Sequence, residues 1–120
     1  GFNNHVKNML KNSGDNNTAL LAVCDVWQKR IDNAKAHIGG DCKGYDDYRK
    51  LLENKDLDAV VISTHDTWHT PCSVDAMNAG KHVYVEKPMT RYLEEAFQIY
   101  DTAKRTGKLL QIGSQGTSAA

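Results

Sequence analysis

Residues 79–88 read Ala-Gly-Lys-His-Val-Tyr-Val-Glu-Lys-Pro. Gly80 suits the C-cap of a preceding helix. His82 to Val85 is a short apolar run of strand length. Glu86, Lys87 and Pro88 come directly after it, so two opposite charges stand just past the end of a strand. Pro88 fixes the loop and can follow a cis bond.

Upstream, Pro71 to Ala79 reads as the helix that Gly80 ends, with Pro in its first turn. Before it, Ala59 to Ser63 (AVVIS) is a continuous apolar run, and Ala19 to Cys24 (ALLAVC) is another. Runs of this length fit strands buried on both faces. Trp27 to His37 reads as a helix with Trp27, Ile31 and Ala34 on its core face, stopped by Gly39 and Gly40. Asp41 to Tyr45 reads as a short edge strand. Tyr48, Leu51 and Leu52 mark a further helix, with Asp46 and Asp47 at its start. A first helix from Phe2 to Lys11, with Val6, Met9 and Leu10 on one face, is expected to end at the turn-forming residues Asn12 to Asn17.

Downstream, Thr90 is the expected N-cap of a helix reaching Thr106, with Leu93, Ala96, Phe97, Tyr100 and Ala103 as its core face. Gly107 ends it, and Leu109 to Gly113 (LLQIG) reads as the last strand. Alternating strands and helices with apolar strands predict an α/β fold, a Rossmann-like doubly wound parallel sheet. Its connections should be right-handed. The 120 residues are expected to be one partial dinucleotide-binding domain, lacking a first strand.

Composition narrows the partners. Lys plus Arg number 15 and so do Asp plus Glu, giving no net charge and no long-range attraction for nucleic acid or an anionic membrane. No apolar run approaches the roughly 20 residues that span a bilayer. Cys24, Cys42 and Cys72 form neither a C-x-x-C cluster nor a pairable even set, so reduced thiols are expected. Cys24 is expected to be a small core residue. A metal site is not expected: His65 and His69 could share a helix face, but no third ligand has recognisable spacing.

Four places could carry chemistry. Asp25, at the tip of a strand, could accept hydrogen bonds from both ribose hydroxyls of NAD, or serve as a helix N-cap. It would repel the 2′-phosphate of NADP. Gly1 directly precedes a helix and could be the last glycine of a phosphate-binding turn, or a cloning remnant. Ser63 to His69 (STHDTWH) leaves the carboxyl end of a strand, the edge where open α/β sheets bind ligands. There Trp68 offers a flat apolar face, and His69 can exchange a proton near neutral pH. Lys87 could hold a substrate oxygen or relay a proton, while a plain Glu86–Lys87 surface pair stays open. Met77 and Met89 are read as core or rim, Tyr45 and Tyr48 as packing, and Asp101, Lys104 and Arg105 as a solvated helix face.

The stretch Ala79 to Pro88 resembles the signature of the glucose–fructose oxidoreductase and inositol dehydrogenase family, Gfo/Idh/MocA. Ala22 to Asp25, Tyr45 to Leu52, Asp58 to Thr64 with Trp68-His69, and Leu110 to Gly113 resemble further segments of the same family in the same order. The resemblance implies an enzyme using NAD, in preference to NADP, on a sugar or polyol, with a second α+β domain that is expected to be missing from these 120 residues. Such an enzyme moves a hydride between the nicotinamide and a hydroxyl-bearing carbon. Lys87 would contact the reactive oxygen, with His69 as a second catalytic candidate. Gly1, Asp25, Ser63, Thr64, His65, Trp68, His69, Glu86, Lys87 and Pro88 would bind the cofactor. His65 stands where the family commonly has Pro. The Trp68-His69-Thr70-Pro71 wording also resembles a glycosidase branch that uses NAD without net redox change. A non-catalytic nucleotide-binding domain is the third reading. The parent protein is expected to be a cytoplasmic homo-oligomer, with an exported form left open, and the 120-residue piece to be inactive alone.

Overall fold

A computed structural model describes residues 2–117. They form two compact units, divided between Asp56 and Leu57.

The first unit contains α1 (Phe2–Asn16), β1 (Ala22–Cys24), α2 (Gln28–Ile38), β2 (Lys43–Tyr45) and α3 (Tyr48–Leu52). β1 and β2 are parallel, with Val23 opposite Gly44. The expected strand over 19–24 is shorter, although pairing starts one residue early, where Lys43 N–H donates to the Leu21 carbonyl. Val23, Ile31, Ala34 and Cys42 make the core, with Ile38 packed against them. Gly44 sits in this layer because the side chains of Ile31 and Lys35 lie where its β-carbon would be.

Three sequence expectations are corrected in this unit. The first helix does not stop at Asn12. The Asn12 amide donates to the Asn8 carbonyl and the Ser13 hydroxyl to the Leu10 carbonyl, so two turn-forming side chains bond back onto the helix. The exit comes at Asn17, in the left-handed region with φ 50°, where Thr18 N–H donates to the Ser13 carbonyl. Trp27 is not core. It holds the extended N-cap position of α2, outside the helical spacing, and the Arg30 guanidinium lies 5.3 Å from its ring centre. Cys24 is exposed rather than core, because β1 turns Val23 inward and leaves the next residue outward.

The second unit contains β3 (Ala59–Ile62), a 3-10 turn (Asp66–Trp68), α4 (His69–Asn78), β4 (His82–Glu86), α5 (Leu93–Thr106), β5 (Leu110–Gly113) and a 3-10 turn at Gln115–Thr117. The three strands are parallel in the order β3-β4-β5. Val60 pairs with Val83, and Val85 with Ile112. Ile62, Cys72, Ala76, Met77, Val83, Val85 and Ile99 are its buried apolar residues, so Met77 is core. α4 ends as the sequence predicts, with Gly80 at φ 81° and the Lys81 N–H returning to the Ala76 carbonyl.

α5 departs from expectation at its start and in its facing. It begins at Leu93, because the Glu95 carboxylate accepts the N–H groups of Arg91 and Tyr92, and Thr90 is no cap. It packs on α4, and its buried residues are Ile99 and Thr102. Leu93, Phe97 and Tyr100 are 69%, 61% and 58% exposed, so the apolar stripe read as core faces outward.

The fold class is α/β with all strand pairs parallel, as expected, but in two small sheets rather than one. Among the described residues no helix is long and apolar enough to cross a membrane.

Candidate functional site

Parallel strands put all their carboxyl ends on one edge, and in the second unit that edge carries two charged or polar loops. After β3 come Ser63, Thr64 and His65, all exposed, then the 3-10 turn that ends at Trp68, 47% exposed. After β4 come half-buried Glu86 and exposed Lys87 and Pro88. The Lys87–Pro88 peptide bond is cis. His65 has φ −63°, the value a proline ring imposes, so its departure from the family pattern leaves this backbone torsion proline-like.

His69 ties the two loops together. It opens α4 and is 2% exposed. Its Nδ1 lies 2.6 Å from the Pro88 carbonyl oxygen, and its Nε2 lies 3.2 Å from the Thr64 carbonyl oxygen. The ring is buried with both nitrogens facing backbone carbonyls, so in this structure His69 joins the two loops. A second tie is an ion pair, Arg91 Nε to Asp66 Oδ2 at 3.7 Å, from the loop after β4 to the turn after β3. Sequence reading passed over Arg91 and weighed Asp66 only within the Ser63–His69 stretch; their opposite charges in two loops of one edge were the available signal.

Asp25 belongs to the first unit, directly after β1, where its N–H donates to the Tyr45 carbonyl. One carboxylate oxygen accepts the Trp27 N–H at 2.9 Å, the local turn of a helix start. The other lies 3.6 Å from Arg30 Nη1, an exposed pair of small energetic weight. Asp25 thus makes a local turn before α2, whose N-cap is Trp27, and its second oxygen faces Arg30. Arg30 was not singled out in the sequence, although an Arg beside an acid at a strand end is the residue type that would meet a 2′-phosphate. Gly1 lies outside the described residues.

Near Asp25, the Cys24 thiol is pushed up to about 11, first by desolvation and then by the carboxylates of Asp25, Asp47 and Asp46. Burial also raises Cys42. Among the described residues no cluster of three His, Cys, Asp or Glu side chains could hold a metal ion.

A model of the Gfo/Idh/MocA oxidoreductases, a family with an NAD-binding Rossmann fold, matches residues 2–114. The chain belongs to that family. Among solved structures similar to this Gfo/Idh/MocA chain is the WlbA dehydrogenase of Chromobacterium violaceum in complex with NADH and UDP-GlcNAcA. That likeness has a TM-score of 0.87 and 27% identity, covering 95% of this chain and 32% of the other. Myo-inositol 2-dehydrogenase of Lactobacillus plantarum is similar at TM-score 0.74 and 26% identity, covering 80% and 28%. Sequence relatives include an alpha-N-acetylgalactosaminidase of Shewanella oneidensis. It is 43% identical over 101 residues, which is 74% of this chain and 21% of that protein. A glycosyl hydrolase family 109 protein of a Shewanella strain is 44% identical over 97 residues with the same coverage. The chain thus spans about a fifth of the length of the curated relatives it matches.

Proposed function

We propose that the protein containing this chain binds NAD, and that it takes a hydride from a hydroxyl-bearing carbon of a sugar or polyol. The observation that carries this reading is the Glu86-Lys87-Pro88 step, held at the end of a parallel strand in a chain of the Gfo/Idh/MocA family. The nicotinamide supplies the hydride acceptor. Asp25 holds the ribose hydroxyls through its carboxylate. Ser63, Thr64, His65 and Trp68 line the cofactor from the β3 loop. Gly1 belongs to the phosphate turn. Lys87 holds the reacting hydroxyl and takes up the proton released as the hydride leaves. The 120 residues are proposed to be part of the nucleotide-binding domain, with the substrate site completed elsewhere in the protein.

A second reading has its own support. The relatives at 43–44% identity are named as glycoside hydrolases, whereas the dehydrogenase structures above are at 26–27%. On that reading the same hydride removal is followed by cleavage of a glycosidic bond and return of the hydride. The two readings share Asp25 and Lys87 and differ in net redox outcome.

Incubating the full-length protein with NAD, a panel of free sugars and polyols, and a panel of aryl glycosides separates them. NADH accumulation supports the dehydrogenase. Release of the aryl group without net NADH supports the glycosidase. Binding of NAD with turnover of neither panel supports a nucleotide-binding domain without catalysis and ends both.

A further inference from the structure

The two partners of His69 are both backbone carbonyls, and a carbonyl can only accept. A neutral imidazole carries one N–H, so it can donate to one of them. Only a ring protonated on both nitrogens donates to both. The Nδ1 contact to Pro88 is the shorter, 2.6 Å against 3.2 Å to Thr64, so Nδ1 keeps its hydrogen in the neutral ring. Nε2 then turns a lone pair toward the Thr64 oxygen.

We propose that His69 is a positioning residue acting as a proton-dependent clamp. Its arm to Pro88 persists, and its arm to Thr64 exists only while the ring is doubly protonated. The clamp sets the spacing between the loop after β3 and the Lys87–Pro88 step. The proposal rests on the reading of that edge as the nicotinamide side and deepens it.

The charged groups on the segments around the ring are Asp66, Asp75, Glu86, Lys87 and Glu95. Asp66 is engaged by Arg91. Glu86 and Lys87 flank Pro88 with opposite charge, Asp75 lies further along α4, and Glu95 of α5 accepts the N–H groups of Arg91 and Tyr92. His65, the other imidazole of this loop, is exposed.

The test is a two-bond 1H–15N spectrum of the full-length protein labelled in histidine, from about pH 5 to about pH 8.5. His69→Gln and His65→Asn assign the two rings by loss of signal. The expected spectrum shows a doubly protonated His69 ring at the acid end. On raising the pH only Nε2 loses its hydrogen, leaving the Nδ1–H tautomer. A neutral ring over the whole range, or an Nε2–H tautomer at the alkaline end, overturns the clamp. If His69→Gln does not fold, the tautomer of the buried ring in the unsubstituted protein decides alone. The second readout is NAD affinity over the same range. It should weaken by roughly two- to tenfold as the Thr64 arm is lost, the scale of one hydrogen bond, and stay flat in His69→Gln. Unchanged NAD affinity across the observed His69 titration overturns the positioning role. Absence of NAD binding at every pH, beside the expected spectrum, means that the clamp stands and the cofactor reading has failed.

Discussion

The hydroxyl of Tyr84 in β4 lies over the α-carbon of Gly113 in β5. A β-carbon at Gly113 would stand 2.6 Å from that oxygen and 2.9 Å from the ring carbon bearing it. Gly113 is buried, so an added methyl group has no solvent to move into. Gly113→Ala should destabilise by about 1–3 kcal/mol, the cost of an overpacked core position. Because the tightest contact is to the hydroxyl, Tyr84→Phe should recover part of that loss in a double-mutant cycle. A denaturant midpoint unchanged by Gly113→Ala would refute the close approach.

Lys87 stands exposed beside the cis peptide bond at the end of β4. If it handles the proton of the reacting hydroxyl, Lys87→Met in the full-length enzyme should lower kcat by about 10²–10⁴ while leaving NAD affinity nearly unchanged. The split between kcat and cofactor binding is the check. A loss confined to NAD binding would move Lys87 from chemistry to cofactor binding.

Asp25→Asn keeps an acceptor for the Trp27 N–H and removes the charge. Full-length enzyme carrying it should bind NAD roughly ten- to a hundredfold more weakly, the scale of hydrogen bonds to a charged group. NADP should gain relative to NAD, helped by the neighbouring guanidinium of Arg30. Titration with both nucleotides reads this directly, and an unchanged preference removes Asp25 from the ribose site.

Much of this was legible in the sequence, and the exceptions share physical causes. Strand and helix order followed from short apolar runs and glycine stops, because burial and chain reversal act locally. The facing of α5 did not. Leu93, Phe97 and Tyr100 sit at helical spacing as well as Ile99 and Thr102 do, and only the position of α4 chooses between the two stripes. His69 was recognisable as a residue of the ligand edge, but its burial depends on Pro88, nineteen residues away. Asp25 reads in the sequence as helix cap or ligand acceptor; α2 starts two residues later than a cap at Asp25 requires, and its carboxylate makes a local turn with the Trp27 N–H instead.

The Cys24 thiol provides a pH test. Its pKa moves from 9.0 to about 11, so the folded chain keeps a proton that the unfolded chain has released. This contribution to stability is complete below pH 9.0 and is lost as pH rises through about 11. At pH near 8 the folded protein should have a thiolate fraction about a hundredfold lower at Cys24 than an unperturbed thiol, and react correspondingly slowly with iodoacetamide. Asp47→Ala should speed that reaction by removing one of the raising carboxylates. It should also cost about 1 kcal/mol of stability, because Asp47 caps α3 through the Arg49 N–H.

His65→Pro should be tolerated and raise stability by about 0.4–1 kcal/mol, since the ring would fix a φ already at −63°. A lower Tm would show that the His65 side chain or N–H has a structural use.

The outward stripe of α5 has a consequence at the bench. Leu93, Phe97 and Tyr100 recur along the same side of one helix, with Tyr92 60% exposed just before it. A wet surface with so much oil on it is unfavourable for a free-standing piece. Produced alone, these 120 residues should stick to themselves as concentration rises, and light scattering should grow with salt rather than fade, the signature of greasy contacts instead of ionic ones.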